Sequence, residues 1–436
     1  MSLALCAALR ARGLRVQTYK CGPDFLDTGH LTAISGRPAR NLDSWMLDAE
    51  SNRSIFARAA AGADIAIAEG MMGLFDGVSG GGETGSAAQI AKLLSLPIIL
   101  VLDASKSARS LAAVIHGFET FDPQLKFAGL VLNQVAGESH FRLLADAIRS
   151  TSPTPLLGWL PRDESVTIPE RHLGLHTADE ERYTNGRAKS LAALAERYLN
   201  LDQLLATTQA NEVPAISQVA MAKEPVIKLG VARDRAFCFY YQDNLDLLQA
   251  AGAELVPFSP LANSELPHDL DALYLGGGYP ELHAQKLSAN QSFLQSLRSF
   301  ADSGRPIYAE CGGMMYLAEQ LRIRDGEVFP MASLLPLRIE MTGRLVRFGY
   351  VELEFVQDTF LAKQGTVARS HSFHYSTAIP TAELTAPFQA RYSLSGLSEL
   401  EGCLQRNVLA SYFHLHFAGN PAFAASFVQG AKHRKR

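Results

Sequence analysis

Short apolar runs of strand length, separated by stretches with helical character, recur along the first half of the chain. A helix is predicted at 2–12, and apolar runs follow at 14–20, 64–69, 97–103, 127–133 and 155–159. Such uniformly apolar strands are typical of a parallel sheet that helices cover on both faces. A second series has strands at 226–232, 254–258 and 272–275 and a helix at 244–251. The pattern therefore predicts an α/β protein with two sheet units.

Length and local composition indicate how these units are divided. A chain of 436 residues is long enough for two or three domains, each with its own core. Between the two series, small and polar residues accumulate around Pro214 and Pro225, as is typical of a linker. We therefore predict a first domain at 1–206, a linker at 207–225 and a second domain at 226–436.

Charge and cysteine content argue against several roles. The net charge of −4 disfavours binding to nucleic acid or to a membrane surface, and no run is long and apolar enough to span a bilayer. The five cysteines show neither metal-ligand spacing nor a paired framework. This favours a reducing compartment, and we expect a cytoplasmic location.

A candidate nucleophile lies in the second half of the chain. The predicted strand 307–309 is interrupted by Glu310-Cys311-Gly312-Gly313, and a helix is predicted at 314–320. A cysteine at such a strand-to-helix turn has the position of a nucleophile elbow, where the positive end of the helix dipole favours a thiolate. The alternative is a buried structural cysteine, which is the commoner state of a cysteine in general.

Two companion segments favour the catalytic interpretation. The apolar strand that begins at Leu273 ends in three glycines, and backbone N–H groups near Gly277 and Gly312 would hold a developing oxyanion. A strand-like run at 410–417 contributes His414 and His416. Cysteine, glycine-rich strand end and late histidine together predict a thiol acyl-transfer site.

Polar residues also follow the apolar strands of the first half, where ligands bind in parallel sheets. These residues are Lys20, Glu69, Asp103 and Asn133. Two more carboxylates, Asp24 and Asp27, lie on a Gly/Pro loop after the first strand. Carboxylates on such a loop suit Mg²⁺ or position a phosphate-bearing substrate, but a capping turn explains the same pattern and is favoured by the spacing alone.

Longer motifs connect the two halves to one family. They are Lys20-x-Gly-Pro-Asp24, Glu69-Gly-x-Met-Gly-x-x-Asp-Gly77, Ala309-Glu-Cys-Gly-Gly-Met-Met-Tyr316 and Ser411-Tyr-Phe-His-Leu-His-Phe417. With these motifs the chain resembles the cobyrinate a,c-diamide synthase family over essentially its whole length. The resemblance implies a dethiobiotin-synthetase-like P-loop domain followed by a class I glutamine amidotransferase domain.

For the second domain, the resemblance implies that Cys311 attacks the side-chain amide of glutamine and that His414 assists. The ammonia released would amidate the c- and then the a-acetate of cobyrinate, a corrinoid on the route to cobalamin. Class I domains commonly have Glu two residues after this histidine, where this chain has His416, so the residue that orients His414 stays open. His416 is either that residue or a core histidine, and we favour the core.

For the first domain, the resemblance implies that ATP and Mg²⁺ activate the carboxylates as acyl phosphates. Glu69 is the implied Mg²⁺ ligand, and Asp24 and Asp27 lie where metal, nucleotide and substrate meet. Asn133 is a candidate for the adenine side. Lys20 is expected to meet phosphate or substrate charge, with a surface salt bridge as the alternative.

The chain departs from the family pattern at its start. Members begin with a strand and a glycine-rich phosphate loop before the first helix, and no Gly-x-x-x-x-Gly-Lys-[Ser/Thr] occurs in the 436 residues. We expect about 15–20 further residues in the native protein, holding this strand and loop. A degenerate member without the loop is the alternative. The first account is favoured because Glu69, Asp24 and the amidotransferase motifs persist together.

Other substrates and another class of function fit the same motifs. Hydrogenobyrinate and nickel-sirohydrochlorin are alternative tetrapyrroles. A loop-less glutaminase or a non-catalytic scaffold is the alternative from another class. His371 and His374 are candidates for the substrate side, although the family usually has Glu where this chain has Ser372.

Overall fold

The computed structural model describes residues 1–168, 170–171, 174–175, 177–181, 183, 185–209 and 224–433. It divides into two compact units, one formed by 1–44 with 52–216 and the other by 45–51 with 217–436. Most of the predicted linker, 207–225, lies outside the described residues. Within the described part, no helix combines the length and the apolar character that crossing a membrane requires.

The first unit alternates helices with short strands. Its helices are α1 (Ser2–Ala11), α2 (Leu26–Ser35), α3 (Ala49–Ala60, which starts in the second unit), α4 (Ala87–Leu93), α5 (Ser110–Phe121), α6 (Glu138–Arg149), α7 (Ala178–Glu181), α8 (Asn185–Tyr198) and α9 (Leu201–Thr207). Its strands are β1 (Val16–Cys21), β2 (Arg40–Leu42), β3 (Ile65–Glu69), β4 (Ile98–Asp103), β5 (Phe127–Val135), β6 (Leu156–Pro161), β7 (Glu170–Arg171) and β8 (Gly174–Leu175).

The larger ladders of this unit are parallel, as the apolar runs predict. The strand orders are β2-β1-β3 and β4-β5-β6, while β7 and β8 form a small antiparallel pair. In the described ladders β3 and β4 are edge strands, and the side chains of β3 are only partly buried. Helices α1 and α8 pack on residues from β1, β3, β4 and β5 in one core, and α5 and α6 contribute to another.

The second unit contains more strands than the sequence pattern indicates. Its strands are β9 (Ile227–Ala232), β10 (Ala253–Phe258), β11 (Ala272–Leu275), β12 (Ile307–Glu310), β13 (Gln320–Arg322), β14 (Val328–Pro330), β15 (Leu337–Met341), β16 (Arg347–Phe355), β17 (Val367–His374), β18 (Ser376–Pro380), β19 (Phe388–Tyr392), β20 (Ser398–Glu401), β21 (Cys403–Gln405), β22 (Val408–Ser411) and β23 (His414–Leu415). Its helices are α10 (Gln242–Ala250), α11 (Ala284–Ala289), α12 (Gln291–Asp302), α13 (Gly312–Leu317) and α14 (Ala422–His433).

A six-stranded sheet positions the candidate site. Its order is β10-β9-β11-β12-β22-β21, and every neighbouring pair except β22–β21 is parallel. Two large apolar clusters include residues of this sheet. Because β11, β12 and β22 are neighbours and run in the same direction, their carboxyl ends meet at one edge. Three segments follow those three ends: the glycine loop 276–278, the elbow 310–313 and the histidine segment 412–417.

Two predictions for this unit are wrong in detail. The helix predicted at 314–320 ends at Leu317, because Ala318 is extended and Gln320 begins β13. The strand-like run predicted at 410–417 is two strands, since β22 ends at Ser411 and His414 belongs to β23. β23 pairs with β17 in a separate sheet of order β20-β19-β16-β17-β23. This antiparallel sheet is absent from the sequence prediction.

Candidate active site

Cys311 lies at a strained turn directly after β12. With φ 47° and ψ −104°, the backbone of Cys311 has a conformation that residues other than glycine rarely adopt. Nucleophile elbows are commonly strained in this way. The turn is fixed on both sides, because Cys311 N donates to Ser411 O at 2.7 Å and Met315 N donates to Cys311 O at 3.0 Å. Helix α13 has only six residues, so its dipole is weaker than the predicted longer helix would supply.

Glycines are required next to this turn. A Cβ on Gly313 would lie 2.2 Å from Leu275 O, and one on Gly312 would lie 3.0 Å from Gly278 N. The elbow therefore packs directly on the backbone of the glycine loop. Gly278, which the sequence analysis does not single out, brings its nitrogen against Gly312, so Gly278 joins the N–H groups considered for an oxyanion.

His414 lies beside the cysteine and is almost completely buried, with 2% of its surface exposed. Burial alone lowers the pKa of His414, but hydrogen bonding to Cys311 and the nearby Glu310 carboxylate outweigh burial and raise this pKa to about 9. Its Nδ1 is 3.6 Å from Glu310 Oε2. At that length the contact is ionic rather than an ordinary hydrogen bond. Near neutral pH, His414 therefore carries its positive charge next to Cys311.

Gly277 forms the surface against which the imidazole packs. A Cβ at Gly277 would lie 2.6 Å from His414 Cε1 and 3.4 Å from Nε2. The carbonyl oxygen of Gly277 accepts hydrogen bonds from Cys238 N and Phe239 N, each at 3.0 Å. The predicted residues Cys311, His414, Gly277 and Gly312 are thus brought together by the fold.

The sequence analysis did not predict that Glu310 would lie beside His414. It is 1% exposed and accepts hydrogen bonds from the hydroxyls of Tyr274 and Tyr308. The only available sequence signal was its place directly before Cys311 at the end of a strand. Its contacts with Tyr274, Leu415 and His414 come from strands far from it in the chain, so spacing alone does not reveal them.

The other buried histidines have different contacts. His416 Nδ1 accepts a hydrogen bond from Ala418 N at 3.3 Å, and its ring packs on Tyr241 with ring centres 4.5 Å apart. This agrees with the core interpretation of His416. His371 pairs with His414 across β17 and β23, and their rings are stacked at 4.9 Å. Burial, followed by the neighbouring histidine charges, lowers the pKa of His371 well below its usual value.

His374 is the second candidate for the substrate side. Its Nδ1 lies 2.8 Å from Ser376 O and must donate there, because a carbonyl oxygen only accepts. Nε2 is buried and has no hydrogen-bond partner among the described residues. The ring stacks on Tyr412 with centres 3.7 Å apart. Burial lowers the pKa of His374 to about 4, so the ring is neutral near pH 7.

In the first unit, Lys20 lies between two carboxylates. Its Nζ is 2.5 Å from Asp27 Oδ2 and 2.9 Å from Glu69 Oε1, and the β1–β3 register places Lys20 opposite Glu69. Burial alone lowers the pKa of Lys20, but Glu69 and Asp27 outweigh it and raise the pKa above its usual value. Lys20 is 4% exposed, so it belongs to an internal ion cluster and the surface salt bridge alternative is wrong.

Asp24 has the capping contact that its spacing favours. Its Oδ1 accepts a hydrogen bond from Asp27 N at 2.7 Å, at the start of α2. Burial, followed by repulsion from Asp27, raises the pKa of Asp24 to about 6. Asn133 lies on β5 opposite Asp103, on a different sheet from the lysine cluster.

The acidic residues fit a cation only with help from another ligand. Within the described ranges, no group of three or more His, Cys, Asp or Glu side chains is arranged to hold a metal ion. Mg²⁺ commonly binds one or two protein carboxylates and completes its shell with water and phosphate oxygens. Glu69 and Asp24 therefore stay candidates for a Mg²⁺ ion that arrives with a nucleotide.

Comparison with known proteins finds a family match in each half of the chain. Residues 1–175 match the CobQ/CobB/MinD/ParA nucleotide binding domain, and 228–422 match the CobB/CobQ-like glutamine amidotransferase domain. The chain is 45% identical to "Cobyrinate a,c-diamide synthase" of Syntrophotalea carbinolica, covering 98% of this chain and 94% of that protein. The chain belongs to the cobyrinate a,c-diamide synthase family. The resemblance predicted from the motifs is confirmed, and the chain is an enzyme of the amidotransferase and ligase type.

Other members of the family are similar over the same length. The Salmonella typhimurium protein of that name is 42% identical over 99% of this chain and 95% of its own length. The Dehalococcoides mccartyi strain CBDB1 protein is 41% identical over 99% and 95%. Among solved structures, PurLQS from Thermotoga maritima aligns with 49% of this chain at 15% identity and a TM-score of 0.36. The family assignment rests on the sequence relatives.

Proposed function

We propose that the chain catalyses glutamine-dependent, ATP-driven amidation of the a- and c-acetate carboxylates of cobyrinate in cobalamin biosynthesis. The observation that carries the proposal is the Cys311–His414 pair at a strained elbow in a member of this family. The names of its relatives support cobyrinate as the substrate, and the nucleotide-binding match supports the use of ATP.

In the glutaminase half-reaction, the Cys311 thiolate attacks the carboxamide carbon of glutamine and forms a C–S bond. Backbone N–H groups around Gly277, Gly278 and Gly312 hold the oxyanion. When the C–N bond breaks, His414 gives its proton to the leaving nitrogen, and ammonia departs from a thioester. Water then attacks the thioester with His414 as general base, which releases glutamate and restores the thiolate.

In the synthetase half-reaction, each acetate carboxylate takes the γ-phosphoryl group of ATP, which gives an acyl phosphate and ADP. Ammonia then attacks the acyl carbon and displaces phosphate, which leaves the amide. Glu69 and Asp24 are the proposed Mg²⁺ ligands, with Mg²⁺ bound as the nucleotide complex. Lys20 and Asp27 are proposed to bind the nucleotide and substrate beside this ion, with Asn133 on the adenine side. The support is the ion cluster of Lys20 with Asp27 and Glu69 at the ends of β1 and β3.

The test is to incubate the 436-residue chain with glutamine, Mg-ATP and cobyrinate and to measure glutamate, ADP and the amidated corrinoid. We expect glutamate release from these residues, and coupled release of ADP and the amidated corrinoid when the phosphate loop that the family carries is restored ahead of them. Cys311→Ala should abolish glutamate release, while ammonium chloride should restore amidation because it bypasses the glutaminase site. Cys311-independent glutamate release with no ADP would contradict the proposal.

Parallel reactions separate the alternatives. Hydrogenobyrinate and nickel-sirohydrochlorin are offered in place of cobyrinate, and the substrate with the highest kcat/KM identifies the tetrapyrrole. Cys311-dependent glutamate release without ADP for any of them would favour the loop-less glutaminase. A chain that binds glutamine without hydrolysing it would favour the scaffold.

A further inference from the structure

Class I domains commonly have Glu two residues after the active-site histidine. His416 occupies that position, and its Nδ1 already accepts a hydrogen bond from Ala418 N. The carboxylate beside His414 Nδ1 comes instead from Glu310, at 3.6 Å. We propose that Glu310 is the positioning residue of the Cys311–His414 site, an inference that rests on the proposed glutaminase function.

The Glu310 carboxylate is itself held firmly. Tyr308 donates to Oε1 at 2.7 Å and Tyr274 donates to Oε2 at 3.0 Å, both through their hydroxyls. Leu415 N donates to Oε1 at 3.2 Å. An ionised carboxylate accepts all three of these bonds, and a group held by three donors in a buried site is oriented before substrate arrives.

These contacts connect both catalytic side chains to one strand end. Glu310 is the last residue of β12 and Cys311 follows it directly, so one backbone segment sets the positions of both. Leu415 N belongs to β23, the strand that also holds His414. Since Glu310 faces Nδ1, the Nε2 atom of His414 is left for the thiol, which is the orientation that a triad requires.

The carboxylate also supports the charge that His414 must hold. An opposite charge within 4–6 Å commonly raises a histidine pKa by about one unit or more. The charged and titratable groups that face His414 are Cys311 at the elbow, Glu310 on β12, His371 and His374 on β17, and His416 beyond β23. Only Glu310 and Cys311 contribute negative charge to this set, so removing the Glu310 charge should make the imidazolium lose its proton at lower pH.

The experiment compares Glu310→Gln with wild type in the glutaminase reaction across pH 6–10. For Glu310→Gln we expect kcat to fall about 100-fold with KM changed less than about threefold, because the group acts through His414. In the pH profile of kcat/KM, the alkaline limb should shift to lower pH by about one unit. Glu310→Asp keeps the charge and should return the limb towards its wild-type position, which a purely structural role would not do.

His416→Gln is the matched control, because it alters a buried neighbour of His414 without touching the Nδ1 contact. Its alkaline limb should stay at the wild-type pH. The inference is overturned if Glu310→Gln keeps the wild-type limb and kcat, or if His416→Gln alone moves the limb.

A second measurement keeps this test separate from the proposed function. The His414 ring resonances, assigned by their loss in His414→Ala, are titrated by NMR in wild type and in Glu310→Gln. A lower titration midpoint in Glu310→Gln supports the inference even if the chain shows no Cys311-dependent glutaminase, in which case the proposed function fails alone. An unchanged midpoint overturns the inference whatever the activity.

Discussion

Substitution of Gly277 by alanine should displace the catalytic imidazole while leaving the fold intact. The added Cβ would lie 2.6 Å from His414 Cε1, whereas nonbonded carbons prefer about 3.5 Å or more. His414 must therefore move by about 1 Å to relieve this contact. A misplacement of about 1 Å in an active site costs on the order of 100-fold in rate, or about 2.7 kcal/mol of transition-state stabilisation.

The assay is glutamate release from glutamine under saturating substrate, with kcat and KM determined separately. Gly343→Ala is the control, because its Cβ would meet no atom closer than Arg324 Nη2 at 3.7 Å. We expect wild-type rates for the control and about 100-fold lower kcat for Gly277→Ala. A folded Gly277→Ala protein that keeps kcat within about threefold of wild type would refute the position assigned to His414.

Three further predictions concern stability, measured by urea denaturation. Lys20→Met should lower the free energy of unfolding by about 3 kcal/mol, because two partly buried carboxylates lose their cation. Gly313→Ala should cost about 1–3 kcal/mol or more, since its Cβ would lie 2.2 Å from a buried carbonyl oxygen. Glu401→Gln should stabilise by about 1–2 kcal/mol at pH 8 and by nothing at pH 4. Burial raises the pKa of Glu401 from 4.5 to about 7, so its ionisation weakens the folded state progressively between these two pH values and by a constant amount above them.

Each of these has a matched comparison. Lys363 makes an exposed ion pair with Asp358 at 2.7 Å, so Lys363→Met should cost less than about 1 kcal/mol. Equal losses for the two lysine variants would contradict the internal cluster. Gly343→Ala serves again for Gly313→Ala, and similar stabilities of the two would contradict the close approach. A gain for Glu401→Gln that is the same at pH 4 and pH 8 would show that charge is not its source.

The apolar runs predicted most of the parallel strands, because a strand buried on both faces must be apolar wherever it lies. Strands β1, β3, β4, β5, β6 and β9 to β12 fall within a few residues of their predicted bounds. The elbow, glycine loop and late histidine are also local patterns, and they predicted Cys311, Gly277 and His414 as one site. Local chemistry is sufficient for these features, since each depends on a turn or on burial.

Which strands become neighbours was decided by the tertiary structure. β11, β12 and β22 lie side by side although β22 follows β12 by about a hundred residues, and periodicity reports burial rather than pairing partner. The antiparallel sheet that ends in the two-residue strand β23 was missed, because so short a strand has no period to detect. The contact between Glu310 and His414 depends on the pairing of β12 with β22 and of β23 with β17. The sequence by itself therefore predicted Cys311 and His414 as one candidate site. Only the tertiary structure decided that Glu310 lies beside His414, because that contact exists only after distant strands have paired.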